Sequence, residues 1–287
     1  MSNWTLEQAQ RDAATQLGEA IAEQIGYVGP PISPFRVIET ENGRILSFGD
    51  DFGDAFDGRL EYQSSRFLLF FNTKYDAWSH IGDHHPKVNF TVAHELGHYF
   101  LDHHRKYLQR TGNAHGSLTE FQVEAPPERE ADCFAAGLLM PRSLVEQTVN
   151  SRPPTFPGVR SSAKDFHVSL TSMAVRWVQL SNFPCAVLVV SDGKIQWGFT
   201  SEAFKRAGGY RVRIGEPIRS RPAAKFLAAE SSLMSFREGI DYSPSERWIN
   251  WERDGIWVQE WYTVIPSLRQ MLVFLAADED DLIEEDD

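Results

Sequence analysis

Apolar side chains recur along this chain at two periods, and the change from one to the other divides it. Leu6, Ala9, Ala13, Leu17, Ile21 and Ile25 stand at helical spacing with Gly26 as a stop, which predicts an amphipathic helix over 5–25. Residues 35–39 and 44–48 are apolar runs on either side of Asn42-Gly43, a pair suited to the positive φ angles of a type I′ turn, and they predict a hairpin. Residues 66–72 read as a strand buried on both faces. In 91–100, Ala93, Leu96, Gly97 and Phe100 fall at i, i+3, i+4 and i+7, the mark of a buried helical face. The polar stretch 101–126, with Gly112, Asn113 and Gly116, reads as a loop or short helix of the kind that crosses a site. Residues 126–141 open on prolines, run helical and stop at Pro141; a short helix follows at 142–149. After a proline-rich break at 151–158, residues 168–180 return to helix, with Ser169 as a plausible cap.

From Cys185 the period becomes that of strands: 185–190 and 194–199 around Asp192-Gly193, then 210–214, 256–264 and 271–275, with one helix-like interval at 223–236. The expected fold class is therefore α+β, with a first domain over 1–182, a smaller β-rich domain over 183–277 and a tail over 278–287. Six of the eight tryptophans, from Trp177 on, fall in the second half, where aromatics on strands serve a core more often than a ligand.

The chemistry concentrates at His94-Glu95-Leu96-Gly97-His98. Four residues of helix bring His98 within roughly 40° of His94, so both imidazoles can reach one metal ion. Glu95, one step round, sits beside that ion without having to bind it, which is the place for a general base acting on the water the metal activates. Two histidines do not hold a catalytic metal, so a third protein ligand is required. On the helix 126–141, taking Glu128 as zero, Asp132 falls at about 40°, Ala135 at about 340° and Leu139 at about 20°. Glu128 shares this face, whereas Glu130 lies about 160° from Asp132 and is the poorer ligand candidate. Asp132 is placed to accept a hydrogen bond from a ligand imidazole, and Ala135 to let the helix approach closely at Gly97. A rival third ligand is His104, ten residues after His94, although Leu101 stands where that longer histidine pattern has a glycine. His103 and His104 are expected instead to cap the end of the His94 helix, and His80, His84 and His85 to be solvated or rim histidines in a loop before it.

The run 90–98, followed by Glu128-x-x-Ala131-Asp132-x-Phe134-Ala135-Ala136-x-Leu138-Leu139-Met140-Pro141, resembles the ImmA/IrrE family of metallopeptidases over about the first 180 residues. The resemblance implies a zinc-dependent endopeptidase with a gluzincin-like, hence zincin-like, core. It implies a protein substrate, a helix-turn-helix transcriptional repressor, within a stress or mobile-element response. His94, His98 and Glu128 match the family's metal ligands and Glu95 its catalytic glutamate; Asp132 stands where asparagine is common. Members close to IrrE add a C-terminal GAF-like sensor domain. In related zinc endopeptidases an edge strand at the position of 66–72 holds the substrate backbone extended. Two imidazoles and a carboxylate suit Zn²⁺ and also accept Mn²⁺ or Fe²⁺. A donor to the reaction's oxyanion is expected among Tyr62, Tyr75, Tyr99 and His103. The alternative is a non-catalytic, ligand-sensing regulator with a structural metal site; a non-ligand acid at Glu95 argues against it.

Charge and cysteine content narrow the partners. The net charge is −12, but eight acids and no base occupy 278–287, leaving the body at −4; such a tail is expected to be disordered. That balance, and Arg176 as the one basic side chain in 168–180, disfavour direct nucleic-acid binding. Cys133 and Cys185 indicate no disulfide framework. The start carries no secretory signal and no run approaches 18 apolar residues, so a cytoplasmic protein without membrane association is expected.

Overall fold

The structure is a computed structural model describing residues 3–78, 83–112, 115–117, 125–151, 154–228, 233, 235–252 and 255–277. His80 and the acidic tail 278–287 lie outside the described residues. Tertiary contacts separate two units, 1–144 with 163–169 and 145–162 with 170–287. Among the described residues no helix is long and apolar enough to cross a membrane.

The first unit opens with helix α1 (Asn3–Ile25) and a short α2 (Phe35–Thr40), followed by strands β1 (Ile45–Asp50), β2 (Gly58–Gln63) and β3 (Arg66–Asn72). Helices α3 (Pro86–Phe100) and α4 (Asp102–Thr111), the three-residue strand β4 (His115–Ser117) and helix α5 (Pro126–Leu139) complete it. The sheet runs β1-β3-β2-β4, with β1 parallel to β3 and the other pairs antiparallel.

Two sequence expectations change here. The hairpin over 35–48 does not form: Asn42 and Gly43 do take positive φ (51° and 78°), but residues 35–40 are helical and the turn leads from α2 into β1. Phe35 packs edge-on against Phe71 and stacks on His84, so distant partners decide the conformation over local β-propensity. Strand β3 is central rather than at the edge, because β2 turns back onto it through Ser64 and Ser65 (φ 50° and 66°), two left-handed residues without the glycine that marks such a turn. The stretch after Leu101 is helix α4 and strand β4, with 113–114 and 118–124 outside the described residues.

Helix α5 is held against α1 by two glycines facing each other's backbone. A Cβ at Gly18 would lie 2.2 Å from the Phe134 carbonyl oxygen, and one at Gly137 would lie 2.1 Å from the Thr15 carbonyl oxygen. This close crossing buries Ala14, Ala22, Phe134 and Leu138 completely, and it fixes the helix that carries Glu128 and Asp132.

Helices α6 (Arg142–Val149) and α7 (Phe156–Asp165) each run across the division between units. The second unit continues with α8 (Leu170–Leu180), β5 (Cys185–Ser191), β6 (Lys194–Thr200), α9 (Glu202–Arg206), β7 (Gly209–Val212), α10 (Arg221–Ala228), β8 (Glu238–Pro244), β9 (Ile249–Trp251), β10 (Trp257–Ile265) and β11 (Gln270–Ala277). Its main sheet is antiparallel, in the order β6-β5-β11-β10-β8, and β7 pairs with β9. Helix α8 packs on β5 and β6, so it joins the sheet it helps to bury. Asp192 and Gly193 make the β5–β6 turn at positive φ. Strands β8 and β9 have no counterpart in the sequence reading; β8 lies at the sheet edge with only Ser243 buried, so it shows no apolar alternation. Leu188, Val190, Ile195, Phe204, Trp248, Met271 and Leu275 form the core. Within it Glu260, fully buried, accepts hydrogen bonds from Ser220 Oγ (2.8 Å), Ser243 Oγ, Trp248 Nε1 (2.5 Å) and Tyr262 Oη, so four donors among the described residues satisfy its two oxygens.

Candidate metal centre

Helix α3 is buried on every side from Thr91 to Tyr99, beyond the single apolar stripe in its sequence. Pro86 stands in the first turn and the His85 side chain accepts a bond from the Lys87 N–H, which fixes where the helix starts. His84 is half-buried at the rim: its Nδ1 lies 2.7 Å from Asp76 and its ring stacks on Phe35. Gly97 lets α5 approach, since a Cβ there would lie 3.0 Å from Ala131 Cα; the partner is Ala131 rather than Ala135.

His94 and His98 bring their Nε2 atoms to 3.2 Å from one another. Glu128, from the first turn of α5, sets one carboxylate oxygen 3.3 Å from His94 Nε2 and the other 3.5 Å from His98 Nε2. Both imidazoles are buried and the Glu128 side chain nearly so. Each imidazole is held from behind. Asp132 Oδ1 lies 2.8 Å from His94 Nδ1, and His104 Nδ1 lies 3.0 Å from His98 Nδ1. With their Nδ1 atoms occupied, both rings present Nε2 to the space that Glu128 faces. Burial lowers the pKa of His94, but the hydrogen bonds and charges of Asp132, Glu128 and Glu95 outweigh it and raise the pKa to about 10. Two imidazole nitrogens and a carboxylate meeting at such distances fit a divalent transition ion in a three-ligand site.

Glu95 is fully buried beside this cluster, under β2. Strand β2 passes over it at Gly58, where a Cβ would lie 2.6 Å from Glu95 Oε1 and from Thr91 Cγ2, so the strand's position depends on that glycine. Nothing local in the sequence around Gly58 signals this contact.

His103 and His104 do not cap α3, which ends at Phe100 with Leu101 as its cap; they lie on α4. His104 is buried with its Nδ1 3.0 Å from His98 Nδ1 and lies outside the His94–His98–Glu128 group, while Glu130 is turned away from that group yet also buried, facing His103 and His104. Of the proposed oxyanion donors, Tyr99 donates to Glu41 (2.5 Å), Tyr75 to Asp57 (3.0 Å), Tyr62 packs on Phe67, and His103 contacts Glu130. Burial and Glu41 push the Tyr99 pKa up to about 12.

Residues 82–178 match the family description of the IrrE N-terminal-like domain, peptidase family M78. The match takes in His94, Glu95, His98, Glu128 and Asp132 and supports the ImmA/IrrE resemblance. Among solved structures, a Mycobacterium tuberculosis transcriptional regulator is similar in fold, with a TM-score of 0.54 at 14% identity over 93% of this chain and 76% of that one. No curated protein matches the sequence significantly.

Proposed function

We propose that this chain, IrrE N-terminal-like over 82–178, is a metalloendopeptidase that hydrolyses a peptide bond in a protein substrate. The observation that carries the reading is the pairing of a three-donor cluster with a fully buried carboxylate, Glu95, on the helix that carries the two histidines. A structural metal site has no use for that acid, which disfavours the non-catalytic alternative. His94, His98 and Glu128 would hold the ion, with zinc preferred on donor chemistry. When bound, the metal supplies a Lewis acid that polarises the scissile carbonyl and makes water acidic. Glu95 takes a proton from the attacking water as its oxygen adds to the carbonyl carbon, and returns it to the amine as the C–N bond breaks. Burial beneath β2 keeps Glu95 out of bulk solvent, with Oε1 against Gly58. Asp132 and His104 keep the two imidazoles in the tautomer that faces the ion.

For the substrate, the family resemblance supports a helix-turn-helix repressor, and the β-rich second unit supports a sensor that sets when cleavage occurs. The test is incubation of the metal-loaded protein with repressors encoded beside it, alongside Glu95→Gln. The amide keeps the shape of the acid and removes the base, so cleavage should fall by about 10²–10⁴-fold with metal content unchanged. Near-normal cleavage by that variant would remove Glu95 from the mechanism.

A further inference from the structure

Helices α4 and α5 bring a second set of metal-type donors together beside the first. His103 Nε2 lies 2.8 Å and His104 Nε2 3.6 Å from Glu130 Oε2, and one donor atom from each residue falls within 4.8 Å of the others. The residue types are those of the His94–His98–Glu128 triad, at comparable spacing. His104 and Glu130 are 6% and 5% exposed, whereas the His103 side chain is 56% exposed, which leaves a path from solvent.

A carboxylate this buried calls for a positive partner. Among the described residues the groups in ion-pair range of Glu130 are these two imidazoles, and its Oε2 makes no hydrogen bond of proper alignment despite the 2.8 Å approach of His103. A buried carboxylate oxygen with no aligned donor and two imidazole nitrogens drawn up to it is arranged as ligands are around a shared cation. We propose that His103, His104 and Glu130 form a second site for a divalent transition ion, and that it opposes occupancy of the first.

The opposition follows from one hydrogen bond. A neutral imidazole carries one N–H. When His98 presents Nε2 to an ion in the first site, its proton sits on Nδ1 and is donated to His104 Nδ1, 3.0 Å away. His104 then keeps its own proton on Nε2, the atom the second ion needs. An ion at the second site displaces that proton; His104 then carries its N–H on Nδ1 and donates to His98 Nδ1, which moves the His98 proton onto Nε2. Each ion thus disfavours the tautomer the other requires, and the weakening is the same in both directions. At excess metal both sites fill, each held more weakly than it would be alone. This coupling requires that His98 be a ligand, not that the protein be a peptidase.

The test uses the metal-stripped full chain titrated with Co²⁺, following the visible absorption of the bound ion and the stoichiometry by equilibrium dialysis. Wild type should take one tight equivalent and a second, weaker one. His103→Ala, at an exposed helical position, should lose the second equivalent and keep the first with its affinity within about twofold. Glu128→Ala, which weakens the first site, should bind at the second about tenfold more tightly than wild type, the scale on which residues behind a ligand act. Saturation of wild type at one equivalent, or two equivalents in His103→Ala, would overturn the site. Unchanged second-site affinity in Glu128→Ala would overturn the coupling.

Discussion

Replacing Asp132 should loosen the metal in two graded steps without unfolding the protein. Its Oδ1 receives the His94 Nδ1–H at 2.8 Å. The His94 ring is 2% exposed, so water cannot easily take the place of that acceptor. A hydrogen bond to a charged group contributes about 1.5–3 kcal/mol and a neutral one about 0.5–1.5 kcal/mol. Asp132→Asn keeps an oxygen acceptor and gives up only the charge, a difference of about 1 kcal/mol, or roughly fivefold in Kd. The 34% exposure of the Asp132 side chain screens its charge and keeps the estimate at the low end. Asp132→Ala removes the acceptor, frees the ring to turn, and should cost about 10–100-fold in affinity. Competition against a chromophoric chelator measures both variants, and thermal unfolding of the metal-free proteins controls for folding. Equal losses in the two variants, or none in either, would refute the argument that this contact orients His94.

Metal binding at pH 7 should release about one proton, because metal-free His94, with its pKa raised to about 10, is protonated there and a ligand imidazole must be neutral. Apparent affinity should then rise with pH up to that value, and calorimetry in buffers of different ionisation enthalpy checks it; a binding heat independent of buffer would contradict the assignment. Gly137→Ala should destabilise the protein by roughly 1–3 kcal/mol in urea, since overlap with the Thr15 backbone exceeds the gain of about 1 kcal/mol in helix propensity. Glu260→Gln replaces one of two oxygens that together accept four hydrogen bonds, and should lower stability by about 1–3 kcal/mol in the same assay; an unchanged midpoint would show that the cage does not need the charge.

Much of the first unit was legible because helix periodicity and side-chain spacing are local. The i, i+4 histidines of α3 must share a face wherever the helix sits, and the prolines at 126–127 and 141 bound α5 from its own sequence. Strands β5, β6, β10 and β11 carry their apolar runs and, at Asp192-Gly193, their turn within short windows. Tertiary structure decided whatever depends on partners far along the chain. Residues 35–40 became helix because Phe35 meets Phe71 and His84. Gly18 and Gly137 acquire their role only where α1 crosses α5, and Gly58 only where β2 passes over Glu95. His104, a helix-end cap by local pattern, is buried behind His98 because α4 turns back at Leu101 and packs against α3, and Glu130, the poorer ligand candidate by helix angle, is buried facing it. Spacing along a helix sets which side chains can share a face, whereas burial and hydrogen-bond partners are set by which faces meet, and that is settled only when the whole core packs.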